Sequence, residues 1–380
     1  MKQIKVYLNL ILITLSITTI QCNQKKSTTS ENTNTSEVSD TYTMADFKTV
    51  RKVDTHVHIK AETNTVVNLA RANNFGLLNI AVDVPDFPPV EQQVAIGKKL
   101  LEKNPEMMAF STAFTLTDWD NPNWSNLVIK QLKEDFENGA NSVKVWKNIG
   151  MEAKDKDGNL IFLDDPKFDP IFKFIKDEGK VLLSHAGEPK NCWLPLDSMT
   201  VNNDRNYFRD HPKYHMYLHP DMPSYEDQIK ARDNMLAKNS SLPFVGVHMA
   251  SLEWSVDEEA KFLDRFPNAS MDLAERMSHT QYQSQKNRKK VRDFFIKYQD
   301  RILYATDFQE STETVPEELK KYMMEVWLND WKYFNTNEMV TVPQLDTPVQ
   351  GLALPKQVVD KIYRLNAERV FSTAWKPADE

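Results

Sequence analysis

Residues Val53-Asp54-Thr55-His56-Val57-His58-Ile59 set two imidazoles two positions apart inside an apolar, β-branched run. Successive strand side chains point to opposite faces, so Asp54, His56 and His58 share one face and the two histidines can grip a single metal ion. Three later apolar runs end in the same kind of residue. Val181-Leu-Leu-Ser-His185 and Phe244-Val-Gly-Val-His248 end in histidine, and Ile302-Leu-Tyr-Ala-Thr-Asp307 ends in aspartate. Neutral imidazoles with one carboxylate form a borderline-soft N/O donor set suited to Zn2+, with Fe2+, Mn2+ and Ni2+ as alternatives. An open position on such an ion holds a water whose pKa falls from about 16 to about 7. Hydroxide can then attack a carbonyl at neutral pH, and a neighbouring aspartate can carry the proton to the leaving group.

Such residues need strands that open on one face. Apolar, Val/Ile-rich runs at 53–58, 77–84, 107–114, 142–146, 180–185, 243–248, 269–273 and 301–306 predict strands. Amphipathic stretches at 64–75, 90–103, 125–138, 168–178, 225–238, 257–265, 287–299 and 356–366 predict helices between and after them. Strand and helix in alternation indicate a parallel sheet covered on both faces, and eight units indicate a (β/α)8 barrel, a TIM barrel. A doubly wound open sheet is the alternative, but the chain has nine glycines and no G-x-G-x-x-G. Long excursions at 186–224, after strand five, and at 308–355, after strand eight, leave from the ends where a barrel builds its active site. The second of them contains a predicted helix at 316–334.

With these motifs in hand, Asp54-x-His56-x-His58, Ser184-His185-Ala-Gly-Glu188, Val247-His248 and Ile302-Leu-Tyr-Ala-Thr-Asp307, the chain resembles the amidohydrolase superfamily over roughly residues 50–372. The closest likeness is to its amidohydrolase-related branch, which includes aminocarboxymuconate-semialdehyde decarboxylase. The resemblance implies that His56, His58, His185 and Asp307 bind one divalent metal ion. It implies that His248 orients water or polarises a substrate carbonyl, and that Asp307 doubles as the proton shuttle. In some members a lysine ending strand four is carboxylated and bridges two metals; Lys144, in Ser142-Val-Lys-Val-Trp146, is the candidate here. The competing reading of Lys144 is a contact to an acidic substrate, and a single-metal site is the expectation. Arg232 and Arg276 resemble recurrent positions of this branch and could clamp a substrate carboxylate, or serve as structural ion-pair partners. His211, His215 and His219 are spaced by four, but Pro212 and Pro220 interrupt a helix there, which excludes an independent metal site. His219 remains a candidate substrate contact from the insertion.

The N-terminus has a different composition. Lys2 and Lys5 precede an apolar run from Val6 to Ile20, then Gln21-Cys22, the pattern of an export signal over residues 1–21. The cysteine at the boundary resembles a bacterial lipoprotein signal with Cys22 as the lipidated first residue. Residues 22–46 are nearly devoid of apolar side chains and are expected to be a flexible tether, with one catalytic domain at 47–376. The expected location is a bacterial membrane surface facing the periplasm or the exterior, reached through the lipid. With Cys22 lipidated, Cys192 has no partner for a disulfide. Apolar residues make up 41% and charged residues 27% of the chain, a globular composition. The formal charge of −7 drops to −9 once the two leader lysines are removed, and no basic stripe is present, which argues against nucleic acid as a partner. A small-molecule substrate is expected; a homo-oligomer is left open.

These features predict a metal-dependent hydrolase of a small, carboxylated ester, lactone or amide. A non-oxidative decarboxylase on the same scaffold is the alternative, and a ligand-binding lipoprotein without turnover is the second.

Overall fold

A computed structural model describes residues 40–375. The expected signal, Cys22 and most of the tether lie outside the described residues. No helix among those described is long and apolar enough to cross a membrane.

Nine strands form one sheet, β1 Lys52–Ile59, β2 Phe75–Ile80, β3 Met108–Ala113, β4 Ser142–Val145, β5 Val181–Ser184, β6 Phe244–Gly246, β7 Ala269–Asp272, β8 Ile302–Leu303 and β9 Phe308–Glu310. Neighbours run in chain order from β1 to β8, every pair is parallel, and β9 lies on the other side of β1. The last two are ends of one extended run. Between them the Thr55 N–H donates to Tyr304 O at 3.0 Å and the Asp307 N–H to His56 O at 2.8 Å. This eighth run therefore hydrogen-bonds to β7 at its start and to β1 at its end, which closes the barrel.

Each predicted strand is present, and the helices Val90–Lys103 and Tyr225–Lys238 have the predicted bounds. The predicted helix at 287–299 begins ten residues earlier, as Met277–Lys297 with a kink at Asn287. Strand one departs from simple alternation, with a register shift against β2 between Asp54 and Val57. Val53 packs with Leu78, Ile80, Leu183, Val245 and Leu303, a cluster gathered from strands around the barrel and closed below by Phe371 and Trp375. Val57 and Ile59, beyond the shift, join the larger cluster formed with the helices.

The domain starts before residue 47. Met44–Lys48 form a 3-10 turn with Phe47 buried, the Trp331 indole N–H donates to Thr43 O, and Tyr42 Oη donates to Asp360. Lys52 is wholly buried behind this segment. Its ammonium donates to Phe47 O and, at 2.7 Å, to Val50 O, and it lies 4.7 Å from the ring centres of both Phe47 and Phe75. Burial, with Arg51 nearby, lowers its pKa to about 7.

Candidate metal centre and active-site cavity

The barrel seam assembles the metal triad. His56 and His58 come from β1, and Asp307 from the bend joining β8 to β9. His56 Nδ1 lies 3.0 Å from Asp272 Oδ2, and His58 Nδ1 lies 2.8 Å from Ile80 O. Both partners are acceptors, so each ring carries its proton on Nδ1 and presents a lone pair at Nε2. Those two lone pairs meet a third. Asp307 Oδ1 lies 3.0 Å from His58 Nε2 and 3.4 Å from His56 Nε2, is shielded from solvent, and makes no hydrogen bond. Three electron-rich atoms within 4.8 Å of one another repel unless a cation lies among them. Two imidazoles and a carboxylate are donors for a divalent metal, so the residues present fit the ion that the sequence predicts.

His185 follows β5, and its buried Nε2 has no hydrogen-bond partner. It stands beside His248, with ring centres 4.3 Å apart, and is not part of the close group formed by His56, His58 and Asp307. His248 gives its Nδ1 proton to Ala274 O at 2.9 Å and turns Nε2 toward Asp307 Oδ2 at 3.9 Å. Burial drives the His248 pKa down to about 3, so the ring is neutral. Lys144 projects from β4 until its Nζ is 3.4 Å from His56 Nε2, and burial lowers its pKa to about 8.

Asp272, the last residue of β7, escaped the sequence reading. Its Oδ2 holds His56, while its Oδ1 accepts the backbone N–H of His248 at 2.7 Å and of Ala274 at 3.3 Å. One carboxylate thus fixes two of the site's imidazoles. His248, Glu275 and Asp307 all have left-handed backbones, with φ of 56°, 56° and 69°. Non-glycine residues adopt this region at a cost of roughly 1 kcal/mol or more each, and such cost concentrates where side chains are aimed for function. The turn that begins at His248 needs Gly246, because a Cβ there would lie 2.4 Å from that of Ala250. Asp54, despite its place in the motif, is absent from the cavity wall. It accepts Thr306 Oγ1 at 2.6 Å and the N–H groups of Thr306 and His56, bracing β1 to the eighth strand.

These groups floor a cavity of about 520 Å³. Phe87, Trp146, Tyr207 and Phe208 give it flat apolar walls, and Arg276, Lys144 and the paired Lys147 and Glu188 give it charge. Arg276 lines the cavity as expected, and its Nε is buried without an acceptor. The 186–224 insertion contributes Glu188, Pro189, Asn203, Asp204, Tyr207 and Phe208, whereas 308–355 contributes Gln309 alone. The second excursion instead packs along the barrel flank through helix Pro316–Asn335 and walls a separate cavity of about 380 Å³. Asp204 comes from a helix, Asn202–Asp210, that the periodicity did not reveal, and pairs with the buried His279 at 3.1 Å.

Two candidates are placed elsewhere. Arg232 is buried on helix Tyr225–Lys238, donates to Ala250 O and Asp233, and lies over the Phe262 ring, so it is a packing residue and not a substrate clamp. His219 is directed to Pro212 O at 3.0 Å and lines a chamber next to the active-site cavity, not the cavity itself.

Residues 147–373 match the family described as amidohydrolase, a stretch that holds His185, His248, Arg276 and Asp307. No curated protein matches the chain. Similar solved structures include a 2,6-dihydroxybenzoate decarboxylase from Rhizobium, at 15% identity over 85% of this chain and 98% of that one, TM-score 0.49. Others are a 5-carboxyvanillate decarboxylase from Sphingomonas paucimobilis (12%, 85% and 99%, 0.44) and an amidohydrolase 2 from Bifidobacterium longum subsp. infantis (13%, 85% and 99%, 0.42). The family match spans well over half of the chain and carries the strand-end residues from β5 onward, and the chain belongs to the amidohydrolase family of metal-dependent enzymes.

Proposed function

We propose that the chain is a metal-dependent decarboxylase of a small, flat, carboxylated substrate. The observation that carries this reading is Arg276, whose buried Nε lacks an acceptor on the wall of a cavity that also presents four aromatic rings. The Arg276 Nη1 donates to Glu275 O, but an Nε–H left unmet in a buried place is costly, and a planar carboxylate satisfies it. A carboxylated ester, lactone or amide would meet Arg276 as well, so the hydrolysis expected from sequence is kept as the second reading.

The metal ion, held by Nε2 of His56 and His58 with Asp307 Oδ1 and with His185 as the further donor, would supply Lewis acidity to a substrate oxygen. A single ion, zinc by donor type, is the simplest occupancy; a carboxylated Lys144 would call for two. Arg276 orients the carboxylate, and Phe87, Trp146, Tyr207 and Phe208 hold the flat body and exclude water. The bond to the carboxylate carbon breaks, its electron pair stays with the substrate, carbon dioxide leaves, and that carbon takes a proton. That proton comes from water, and Asp307 Oδ2, facing His248 Nε2, is the side-chain atom in place to take it up and pass it on. The second reading draws on the same aspartate, which can take a proton from the attacking water.

Isotopes separate the two. Metal-loaded enzyme is incubated with hydroxybenzoates, unsaturated carboxylates and carboxylated esters or lactones, in D2O and in 18O-labelled water. Release of carbon dioxide with deuterium placed on product carbon is the expected result. Solvent 18O in a new carboxylate, without carbon dioxide, would establish hydrolysis and overturn the proposal. Metal content of one ion per chain is expected, and two would assign Lys144 as the bridge. We further propose, from the N-terminal pattern alone, that Cys22 is lipidated and the enzyme works outside the cytoplasm. Loss of labelled fatty acid in Cys22→Ala is the check, and an unlabelled wild type would refute it.

A further inference from the structure

A second chamber, of about 380 Å³, adjoins the active-site cavity, and the two share Lys147 and Glu188 and no other lining residue. That ion pair therefore stands where the two meet. The chamber's surfaces come from the segment after β4 and from the 186–224 insertion. Met151, Met216 and Met222 with Tyr214 form its apolar part. Its lining also holds two exposed lysines, Lys154 and Lys213, and one exposed acid, Glu152. Methionines pack flexible hydrocarbon well because the thioether is unbranched and polarisable, and lysines receive an anion as mobile point charges.

We propose that the substrate is an elongated dianion. Its carboxylated head occupies the metal cavity, and an apolar limb passes the Lys147–Glu188 pair into the methionine-lined chamber, where a second anionic group meets Lys154 and Lys213. This rests on the first cavity being the carboxylate-binding active site, and it adds the length and the far charge of the substrate. It also gives the insertion a task that walling the metal would not require, since five of the chamber's ten lining residues fall between 213 and 222.

Calorimetric titration of zinc-loaded protein tests it without turnover. The probes are a 4-alkylbenzoate and 4-(ω-carboxyalkyl)benzoates with spacers of increasing length. The dianion of matching length is expected to bind about tenfold more tightly than the alkylbenzoate, a gain reachable by two partly exposed charge contacts. Lys154→Glu with Lys213→Glu, both at exposed positions, should abolish that gain and leave alkylbenzoate affinity unchanged. Met222→Trp, which fills the chamber, should remove the gain independently. Equal affinity for both probes, or a gain that survives charge reversal, overturns the elongated substrate while leaving the active-site reading intact. Failure of every probe to bind overturns both.

Discussion

Asp272→Asn is the most informative single change, because it alters hydrogen-bond polarity at almost constant volume. The carboxylate accepts from three donors, His56 Nδ1 at 3.0 Å and the N–H groups of His248 and Ala274 at 2.7 and 3.3 Å. An amide has one acceptor and one donor. If its oxygen stays with the two backbone N–H groups, its NH2 faces His56 Nδ1. That ring must then move its proton to Nε2, the atom that faces Asp307 and the metal. If the amide flips, two buried N–H groups oppose a donor. The first outcome weakens metal binding by about 10- to 100-fold, or about 1.4–2.7 kcal/mol, the usual effect of losing the partner that orients a ligand histidine. The second costs about 1–3 kcal/mol of fold stability for each unmet group. Competition against a chromophoric chelator measures the first, and thermal unfolding of metal-free protein measures the second. The expected result is a metal affinity at least tenfold weaker, with unfolding lowered by no more than a few degrees. Wild-type metal affinity in a folded Asp272→Asn would refute the tautomer argument, and with it the inference that lone pairs converge on Asp307.

Arg276→Met should raise KM for a carboxylated substrate by about 10- to 100-fold with a smaller change in kcat, and Arg276→Lys should recover part of it; an unchanged KM would remove the clamp. Arg232→Ala should behave in the opposite way, destabilising the fold by about 2–4 kcal/mol in chemical denaturation with kcat and KM retained, because its guanidinium holds Ala250 O and Asp233 away from the cavity. Lys52 should make stability rise with pH. Its folded pKa of about 7 lies below the ordinary 10.5, so between these values the unfolded chain binds the extra proton and alkali favours the fold. Denaturation midpoints at pH 7 and pH 9.5 should lie closer together in Lys52→Met than in the wild type, and an unaltered pH dependence would show that Lys52 remains charged in place.

The strand-end rule made most of the site legible. His56, His58, His185, His248 and Asp307 close or follow apolar runs, and the barrel collects those ends on one face. The same rule applied to Ala269-Ser-Met-Asp272 would have found Asp272, since an acid ending a buried strand needs a partner. The run is short and aspartate is common at turns, so its end carries a weaker signal than a terminal histidine. Helix Asn202–Asp210 was illegible for a different reason. Its sequence, Asn-Asn-Asp-Arg-Asn-Tyr-Phe-Arg-Asp, has one short buried face carrying Asp204 and Phe208, too little apolar periodicity to register. Arg232 was misleading because an arginine with a buried structural partner and one reserved for substrate look alike in sequence. Only the unmet Nε of Arg276 separates them.

The metal triad is drawn from the two ends of the barrel sequence, and this constrains how site and fold depend on each other. His56 and His58 lie on the first strand, Asp307 on the last, with about 250 residues of chain between them. They meet because Thr55 pairs with Tyr304, Asp307 with the His56 carbonyl, and Val57, His58 and Ile59 with Phe308, Gln309 and Glu310. Asp54 binds the same seam from below through Thr306. In the unfolded chain the ligands are separated by a loop whose closure carries a large entropic cost, so a preformed site exists only in the closed barrel. An ion that binds there binds the native state alone and stabilises it by mass action. The electrostatic repulsion among three facing lone pairs, a liability at the seam without metal, becomes its strongest cross-link with metal in place. Placing the ligands at the closure point thus couples the integrity of the barrel to possession of the ion, in a domain whose cysteine at 192 is buried and free and offers no covalent alternative.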